Sequence, residues 1–315
     1  MPEEKNIYVA FSLPDAEKSL LEESLLPAER CSWFQSLPEE EHLNAFLEAE
    51  VVFGNVSLDW IEKSDNLCWL QLYSAGVNPY QELDWSKIPQ ITVTNLRNFF
   101  GQPVAETAVA GIMALYRKID ELARLQAEQK WVGGALRPQL HLLHRKKALV
   151  LGGGAIGSAI EKILTGFSCD TKVITRTGQL TLADLDELLP WADLVINNLP
   201  ETEETIGVIS AHRLGLMKSS AIFANVGRGS AVDEPALIEA LHANQLAGAM
   251  LDVSAEEPLP QGHPLWTCPN VLLTQHTGGG FAEEDRDKVR VFTDNLRRYR
   301  AGEPLQNVVD FSRGY

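Results

Sequence analysis

Ala148-Leu149-Val150-Leu151-Gly152-Gly153-Gly154-Ala155-Ile156-Gly157-Ser158 is the stretch that decides the fold. Its apolar start predicts a buried strand, and the residues from Ser158 to Thr165 predict a helix. Between them, glycines at 152, 154 and 157 satisfy the pattern GxGxxG. The first permits a tight turn, the second lets backbone approach a pyrophosphate, and the third lets the helix pack against the strand. The helix then aims free N–H groups and a positive dipole end at the phosphates. Strand before and helix after favour a dinucleotide site over a plain glycine-rich turn.

Outward from this turn, short apolar runs alternate with amphipathic stretches, the pattern of an α/β protein with parallel strands. Lys172–Thr175, Leu194–Asn197, Ala221–Asn225, Leu246–Leu251 and Val271–Thr274 follow as strands, and Ala282–Arg300 as a closing helix. Upstream, Ile7–Phe11, Val51–Gly54, Trp69–Tyr73 and Ile91–Asn95 read as strands, and Asp15–Leu26 and Glu39–Glu48 as helices. A long helix is expected from Pro103 to Lys130, with Pro103 at its first position and a small-residue face of Ala105, Ala108, Ala110, Gly111, Ile112 and Leu115. There is no internal repeat and no low-complexity linker. A length of 315 residues suggests two domains.

A formal charge of −16 repels nucleic acid and anionic lipid, so neither is an expected partner. Anionic ligands must then be held by local positive features, meaning helix N-termini and single arginines. Cys31, Cys68, Cys169 and Cys268 form no CxxC pair, which argues against a disulfide framework and for a reducing compartment. The charged start Met1-Pro2-Glu3-Glu4-Lys5 carries no apolar signal region, and no stretch is long enough to span a membrane, so a cytoplasmic protein is expected. His141 and His144 have metal-compatible spacing, but nothing nearby completes a site and no metal is expected. Trp131, Trp191 and Trp266 read as packing anchors.

Ligands of open α/β sheets bind at the carboxyl ends of the strands. Three segments place charged groups there: Asn225-Val226-Gly227-Arg228, Asp252 to Glu257, and Thr274-Gln275-His276. Individually each has a quieter reading. Arg228 can pair with Asp233, Asp252 can cap its turn, and Glu257 can be a solvated carboxylate. Together, Arg, Glu and His are what reduction of a 2-keto acid requires. The arginine pairs with carboxylate and carbonyl oxygen, the histidine delivers a proton, and the glutamate orients the imidazole and favours its protonated form. The second strand of the nucleotide unit ends in Thr175-Arg176-Thr177. An NAD site usually has an acid here, roughly 20 residues past the last glycine, for the ribose 2′-hydroxyl. Arg176 instead suits a 2′-phosphate, which predicts NADP(H) in preference to NAD(H).

These segments, in this order, resemble the D-isomer-specific 2-hydroxyacid dehydrogenases, the family of glyoxylate/hydroxypyruvate reductases, over most of the chain from about Leu67 to His276. The resemblance implies that Arg228, Glu257 and His276 form the catalytic set, with His276 the proton donor and Arg228 and His276 touching substrate. It implies that Ser74, Ala75, Gly76 and Val77, after Tyr73, hold the substrate carboxylate. Asn98 with Ala105-Glu106 matches the family's entry into the long helix. On the cofactor it implies Gly152, Gly154, Ala155, Ile156, Gly157, Thr175, Arg176, Thr177, Leu199, Pro200, Thr205, Asn225, Val226 and Gly227. Asp252 would hold the nicotinamide carboxamide, and Glu204-Thr205 completes the cofactor-side loop. The implied architecture is two doubly wound parallel-sheet domains. A Rossmann-type domain, residues 99–282, is inserted into a flavodoxin-like substrate domain of residues 1–98 plus 283–315. The implied substrate is a small 2-keto acid, reduced to the D-2-hydroxy acid, and the implied assembly a homodimer. One departure stands out: the family commonly has proline before the histidine, where this chain has Gln275. The change either shifts the histidine backbone or supplies a side-chain hydrogen bond. Two other functions remain open at this point. One is a nucleotide-sensing binding protein of the same fold without useful chemistry. The other is formate oxidation, whose family enzymes carry glutamine where Glu257 stands.

Overall fold

A computed structural model describes residues 5–311; the charged start Met1–Glu4 and residues 312–315 lie outside them. The chain divides into two compact units, Met1–Phe99 with Phe281–Tyr315, and Phe100–Gly280.

In chain order, the first unit contributes β1 (Lys5–Val9), α1 (Asp15–Glu22), β2 (Glu29–Trp33), α2 (His42–Leu47), β3 (Val51–Phe53), α3 (Leu58–Lys63), β4 (Trp69–Gln71) and β5 (Thr92–Thr94). The second contributes α4 (Gly101–Arg117), α5 (Ile119–Ala127), β6 (Lys147–Leu151), α6 (Ala155–Gly166), β7 (Asp170–Ile174), α7 (Leu185–Leu188), β8 (Leu194–Asn197), α8 (Ala211–Leu216), β9 (Ile222–Asn225), α9 (Glu234–His242), β10 (Gly248–Leu251) and β11 (Val271–Leu273). The last helix, α10 (Glu284–Ala301), belongs to the first unit.

The first sheet has the order β2-β1-β3-β4-β5 with every pairing parallel, which is the flavodoxin-like order. Its core on the α10 side stacks Phe292 on Phe53, centroids 4.5 Å apart, and on Trp69 at 5.1 Å. The second sheet runs β11-β10-β9-β8-β6-β7, also all parallel. This is a Rossmann-type sheet in which β7 is the edge. Residues 182–191 form short helical turns, and no further strand lies beyond β7 among the described residues. Strands β6, β8, β9 and β10 are buried along most of their length, because helices cover both faces of a parallel sheet.

Several expectations need correction. Glu29–Trp33 is a strand that the sequence reading missed, and α3 is likewise an addition. Pro103 is the third residue of α4, where an N–H would still lack an intrahelical partner. The expected single helix from 103 to 130 breaks at Lys118, which adopts φ 54° and ψ 35°. Of the small-residue face of α4, Ala105, Ala108, Gly111, Ile112 and Leu115 are buried and Ala110 is exposed; a Cβ on Gly111 would stand 2.4 Å from Met250 Cγ of β10.

Candidate active site

Because the second sheet is wholly parallel, the turns after β6, β8, β9, β10 and β11 all leave from one edge. The turn after β6 is built around its glycines. Gly152 has φ +106°, a conformation that side chains disfavour. A Cβ on Gly157 would lie 1.8 Å from Gly152 O, so only glycine lets α6 begin this close to the strand. The helix starts at Ala155, three residues before the sequence suggested, and no side chain caps it. The N–H groups of Gly153 and Gly154 meet no protein acceptor among the described residues, and a Cβ on Gly154 would meet nothing within 4 Å. Open space, orphan donors and an uncapped helix N-terminus together fit a dinucleotide pyrophosphate. Ala155 and Ile156 form the first turn of this helix.

The next strand end lies alongside. Gly153 has its Cβ position 2.5 Å from Thr175 Cγ2, and Thr175 N donates to Leu180 O at 3.0 Å. Arg176 and Thr177 are exposed just beyond, and Arg176 forms no ion pair among the described residues.

Two buried asparagines, Asn197 and Asn225, end β8 and β9 and tie their loops together. Asn197 Nδ2 donates to Asn225 Oδ1 at 2.9 Å, and Leu199 N donates to Asn197 Oδ1. Asn225 Oδ1 also accepts from Gly227 N, while its Nδ2 donates to Arg228 O at 3.0 Å. Gly227 is forced by closeness, its Cβ position being 2.6 Å from Leu199 O. Val226 and Leu199 are buried, and Pro200 is exposed. The Thr205 hydroxyl is used inside its own loop, donating to Pro200 O at 2.7 Å.

Glu257 and His276 are brought into direct contact, His276 Nδ1 lying 2.6 Å from Glu257 Oε2. Oε1 of the same carboxylate accepts from Ser254 N at 3.0 Å. Arg228 comes from the neighbouring strand end and bonds directly to neither; its Nη1 donates to Gly227 O at 2.8 Å. It does not pair with Asp233, whose carboxylate caps α9 through Ala236 N. No carboxylate lies within ion-pair distance of Arg228 among the described residues, so a half-buried guanidinium faces the site without its own counter-ion.

Asp252 is buried and engaged in the protein. Its Oδ1 accepts from Thr274 Oγ1 at 2.6 Å and from Gly278 N at 3.0 Å, while its backbone O accepts from His276 N at 2.6 Å. It thus clasps both ends of the turn that carries His276. Gln275 and His276 both have positive φ, 54° and 56°, and the Gln275 side chain makes no hydrogen bond among the described residues. Of the two outcomes weighed for this position, a side-chain hydrogen bond from Gln275 is not seen among the described residues.

Ser74, Ala75, Gly76 and Val77 belong to the other unit, at the carboxyl end of β4. Asn55 Nδ2 donates to Ser74 Oγ, Asn95 Nδ2 to Ala75 O at 2.7 Å, and Leu96 N to Ser74 O. The N–H groups of Ala75 and Gly76 have no protein acceptor among the described residues, as a carboxylate-binding loop requires. Asn98, just beyond β5, has φ 74°.

Sequence reasoning missed Asn197, Asn198 and Thr274. Asn198 Nδ2 donates to Leu151 O and Gly152 O at 2.7 and 3.0 Å and so fixes the glycine turn. All three are polar residues closing apolar strands, the same signal that singled out Asn225 and Asp252. Trp131 is 96% exposed and so is not a packing anchor, and Trp266 is 45% exposed. Trp191 packs on the core, with Lys172 4.3 Å over its ring.

A glycine turn fit for a dinucleotide and an imidazole–carboxylate pair on one sheet edge define a class, the nicotinamide-dependent oxidoreductases. Comparison with known proteins narrows it. The family model for the D-isomer specific 2-hydroxyacid dehydrogenase, NAD binding domain, matches residues 109–278. Glyoxylate/hydroxypyruvate reductase B of Escherichia fergusonii is 31% identical over 319 residues, covering 97% of this chain and 98% of that protein. The crystal structure of a D-isomer specific 2-hydroxyacid dehydrogenase family protein from Aeromonas salmonicida superposes with a TM-score of 0.86 at 27% identity, covering 98% of this chain and all of the other. A D-isomer specific 2-hydroxyacid dehydrogenase from Xanthobacter autotrophicus, in complex with NADPH and MES, gives 0.81 at 28% identity, covering 99% of this chain and all of the other. This chain belongs to the D-isomer-specific 2-hydroxyacid dehydrogenase family and is an NAD(P)-dependent oxidoreductase.

Proposed function

We propose that the enzyme reduces a small 2-keto acid of the glyoxylate or hydroxypyruvate kind to its D-2-hydroxy acid, using NADPH, with His276 as proton donor. The observation that carries this reading is the 2.6 Å contact between His276 Nδ1 and Glu257. A carboxylate can only accept, so Nδ1 keeps its hydrogen and Nε2 is left as the nitrogen that exchanges a proton. A reduced nicotinamide dinucleotide held through the glycine turn after β6 would supply the hydride for C2. His276 then gives the Nε2 proton to the carbonyl oxygen, and the neutral Nδ1–H form remains against Glu257. Arg228, lacking a protein counter-ion, is available to the substrate carboxylate and the carbonyl oxygen. In the other unit, the orphan N–H groups of Ala75 and Gly76 form a loop of the kind that receives a carboxylate. Asp252 is spent on the His276 turn, so its contribution to the carboxamide would come from whatever lone pairs that clasp leaves.

The NADPH preference is supported by Arg176, which is exposed at the end of β7 with no acid beside it. The similarity to a Xanthobacter relative crystallised with NADPH supports it too. Trp131, Leu142, Ile119 and Leu122 are exposed apolar side chains concentrated within residues 119–142, which favours a homodimer. A binding protein without chemistry would have no use for an oriented imidazole–carboxylate pair, and glutamate at 257 argues against formate oxidation.

The test is a keto-acid panel run with NADPH and NADH, on the parent and on His276→Gln. Glyoxylate or hydroxypyruvate should oxidise NADPH at a higher kcat/KM than NADH. The substitution should lower kcat by roughly 10²- to 10⁴-fold, as loss of a general acid does, with NADPH affinity nearly unchanged. Turnover close to the parent in His276→Gln would remove the proton-donor assignment.

A further inference from the structure

The Glu257–His276 pair is open to water, with side chains 35% and 52% exposed. An exposed pair contributes only about 0–1 kcal/mol by itself, so its short geometry must be imposed by the backbone on which it stands. That backbone is the turn Ser254–Glu257. The turn is closed internally by Ser254 Oγ donating to Glu256 O at 2.7 Å and Ser254 N donating to Glu257 Oε1. From outside it is held by Glu234, the first residue of α9, whose Oε2 accepts from Ala255 N at 3.0 Å. The other oxygen, Oε1, lies 3.4 Å from His263 Nε2. His263 Nδ1 accepts from Leu265 N at 3.3 Å, which places the ring hydrogen on Nε2, facing Glu234. Leu265 is buried in the core, and the Glu234 and His263 side chains are only 11% and 22% exposed.

Two further facts give this second pair a purpose beyond packing. Asp233 already caps α9, so the Glu234 carboxylate is not needed to start the helix. The turn also lies flush against the residue after Arg228, a Cβ on Gly229 falling 1.8 Å from Ser254 O. One turn therefore touches the Arg228 segment, carries Glu257 and, through it, meets His276.

We propose that Glu234 and His263 are positioning residues that act through the Ser254–Glu257 turn to hold Glu257 against His276. This rests on the reading of Glu257 and His276 as the acid–base pair, and the experiment separates the two. Glyoxylate reduction is measured for Glu234→Ala, Glu234→Gln and His263→Ala, each alone and in a Glu257→Gln background, with NADPH affinity and Tm recorded for all. Glu234→Ala and His263→Ala should each lower kcat roughly tenfold, the scale of a sub-ångström misplacement, with NADPH affinity and Tm close to the parent. Glu234→Gln should recover part of the loss, since its amide oxygen still accepts from Ala255 N. In the Glu257→Gln background neither change should lower kcat further, because the group being positioned is already gone. A purely structural role would instead give the same loss in both backgrounds, and that result overturns the proposal. So does a kcat for Glu234→Ala within about twofold of the parent, less than coupled neighbours show. Should Glu234→Ala not fold, Glu234→Gln and His263→Ala decide by the same comparison. If Glu257→Gln alone leaves kcat unchanged, the acid–base reading itself fails, and the brace with it.

Discussion

Gln275 and His276 adopt left-handed backbone in succession, at φ 54° and 56°. For residues with a Cβ this costs roughly 1–2 kcal/mol each, and here it is sustained by the Asp252 clasp on Thr274, His276 and Gly278. Proline is locked near −65° and cannot take the Gln275 conformation. The residue common in the family is therefore the wrong one for this turn. Gln275→Pro should lower kcat for keto-acid reduction by about 100-fold, since a displacement of about 1 Å at the acid is enough for that. Gln275→Gly should keep parent-like kcat, because glycine reaches positive φ freely. Steady-state kinetics on both variants check this, and an unimpaired Gln275→Pro would mean that the turn relaxes to a right-handed form.

Among elements, α10 is joined to the first sheet by a buried polar chain. Trp69 Nε1 donates to Thr94 Oγ1 at 2.8 Å, and Thr94 Oγ1 donates to Gln71 Oε1 at 2.8 Å. Asn295 Nδ2 donates to the same Gln71 oxygen at 3.2 Å, and Asn295 Oδ1 accepts from Gln306 N at 2.8 Å. All four side chains are buried. Thr94→Val keeps the shape but leaves the indole N–H unsatisfied, which should cost about 1–3 kcal/mol of stability. Thr94→Ser should cost less, and denaturant unfolding of the two measures the difference. None of this chain is legible in sequence, because Gln71 and Asn295 stand 224 residues apart. What was legible follows from burial. Strands β6 and β8–β10 are covered on both faces, so they read as continuous apolar runs, and the glycine turn after β6 reads from its spacing alone. Strand β2, Glu-Arg-Cys-Ser-Trp, has one neighbour and partial exposure, so no apolar run marks it. The break at Lys118 has no glycine or proline to announce it. There the Tyr116 carbonyl accepts from His141 N at 2.8 Å and Lys118 Nζ donates to Asn270, contacts that only the folded chain provides. In the candidate site, Asn225 and Asp252 were singled out by type and position at strand ends. Asn197, Asn198 and Thr274 carry the same signal, but their partners (Asn225, the carbonyls of Leu151 and Gly152, and the Asp252 carboxylate) are brought to them only by the fold.

At the scale of the whole molecule, the two units differ in how the chain builds them. Phe100–Gly280 is continuous, whereas the other unit needs both ends of the sequence. The hydrophobic clusters respect this division. Two draw only on residues between Phe100 and Leu273, and the other two combine residues up to Val93 with residues from Val289 onward. Each unit thus has a core that does not borrow from the other, the condition for a domain that can fold alone. Residues 100–280 expressed by themselves should unfold cooperatively. They carry the glycine turn, Arg176 and the loops after β8, β9 and β10, so they should also retain NADPH binding. Saturation at a hundred times the dissociation constant should stabilise the fragment by about 2.7 kcal/mol, read as a rise in Tm with cofactor concentration. Residues 1–99 alone should not fold, since without α10 the faces of Phe53 and Trp69 lose Phe292 and the Gln71 oxygen loses Asn295. A fragment 100–280 that folds but shows no NADPH-dependent shift would place essential cofactor contacts in the first unit, and the assignment of the nucleotide site to this sheet edge alone would have to be given up.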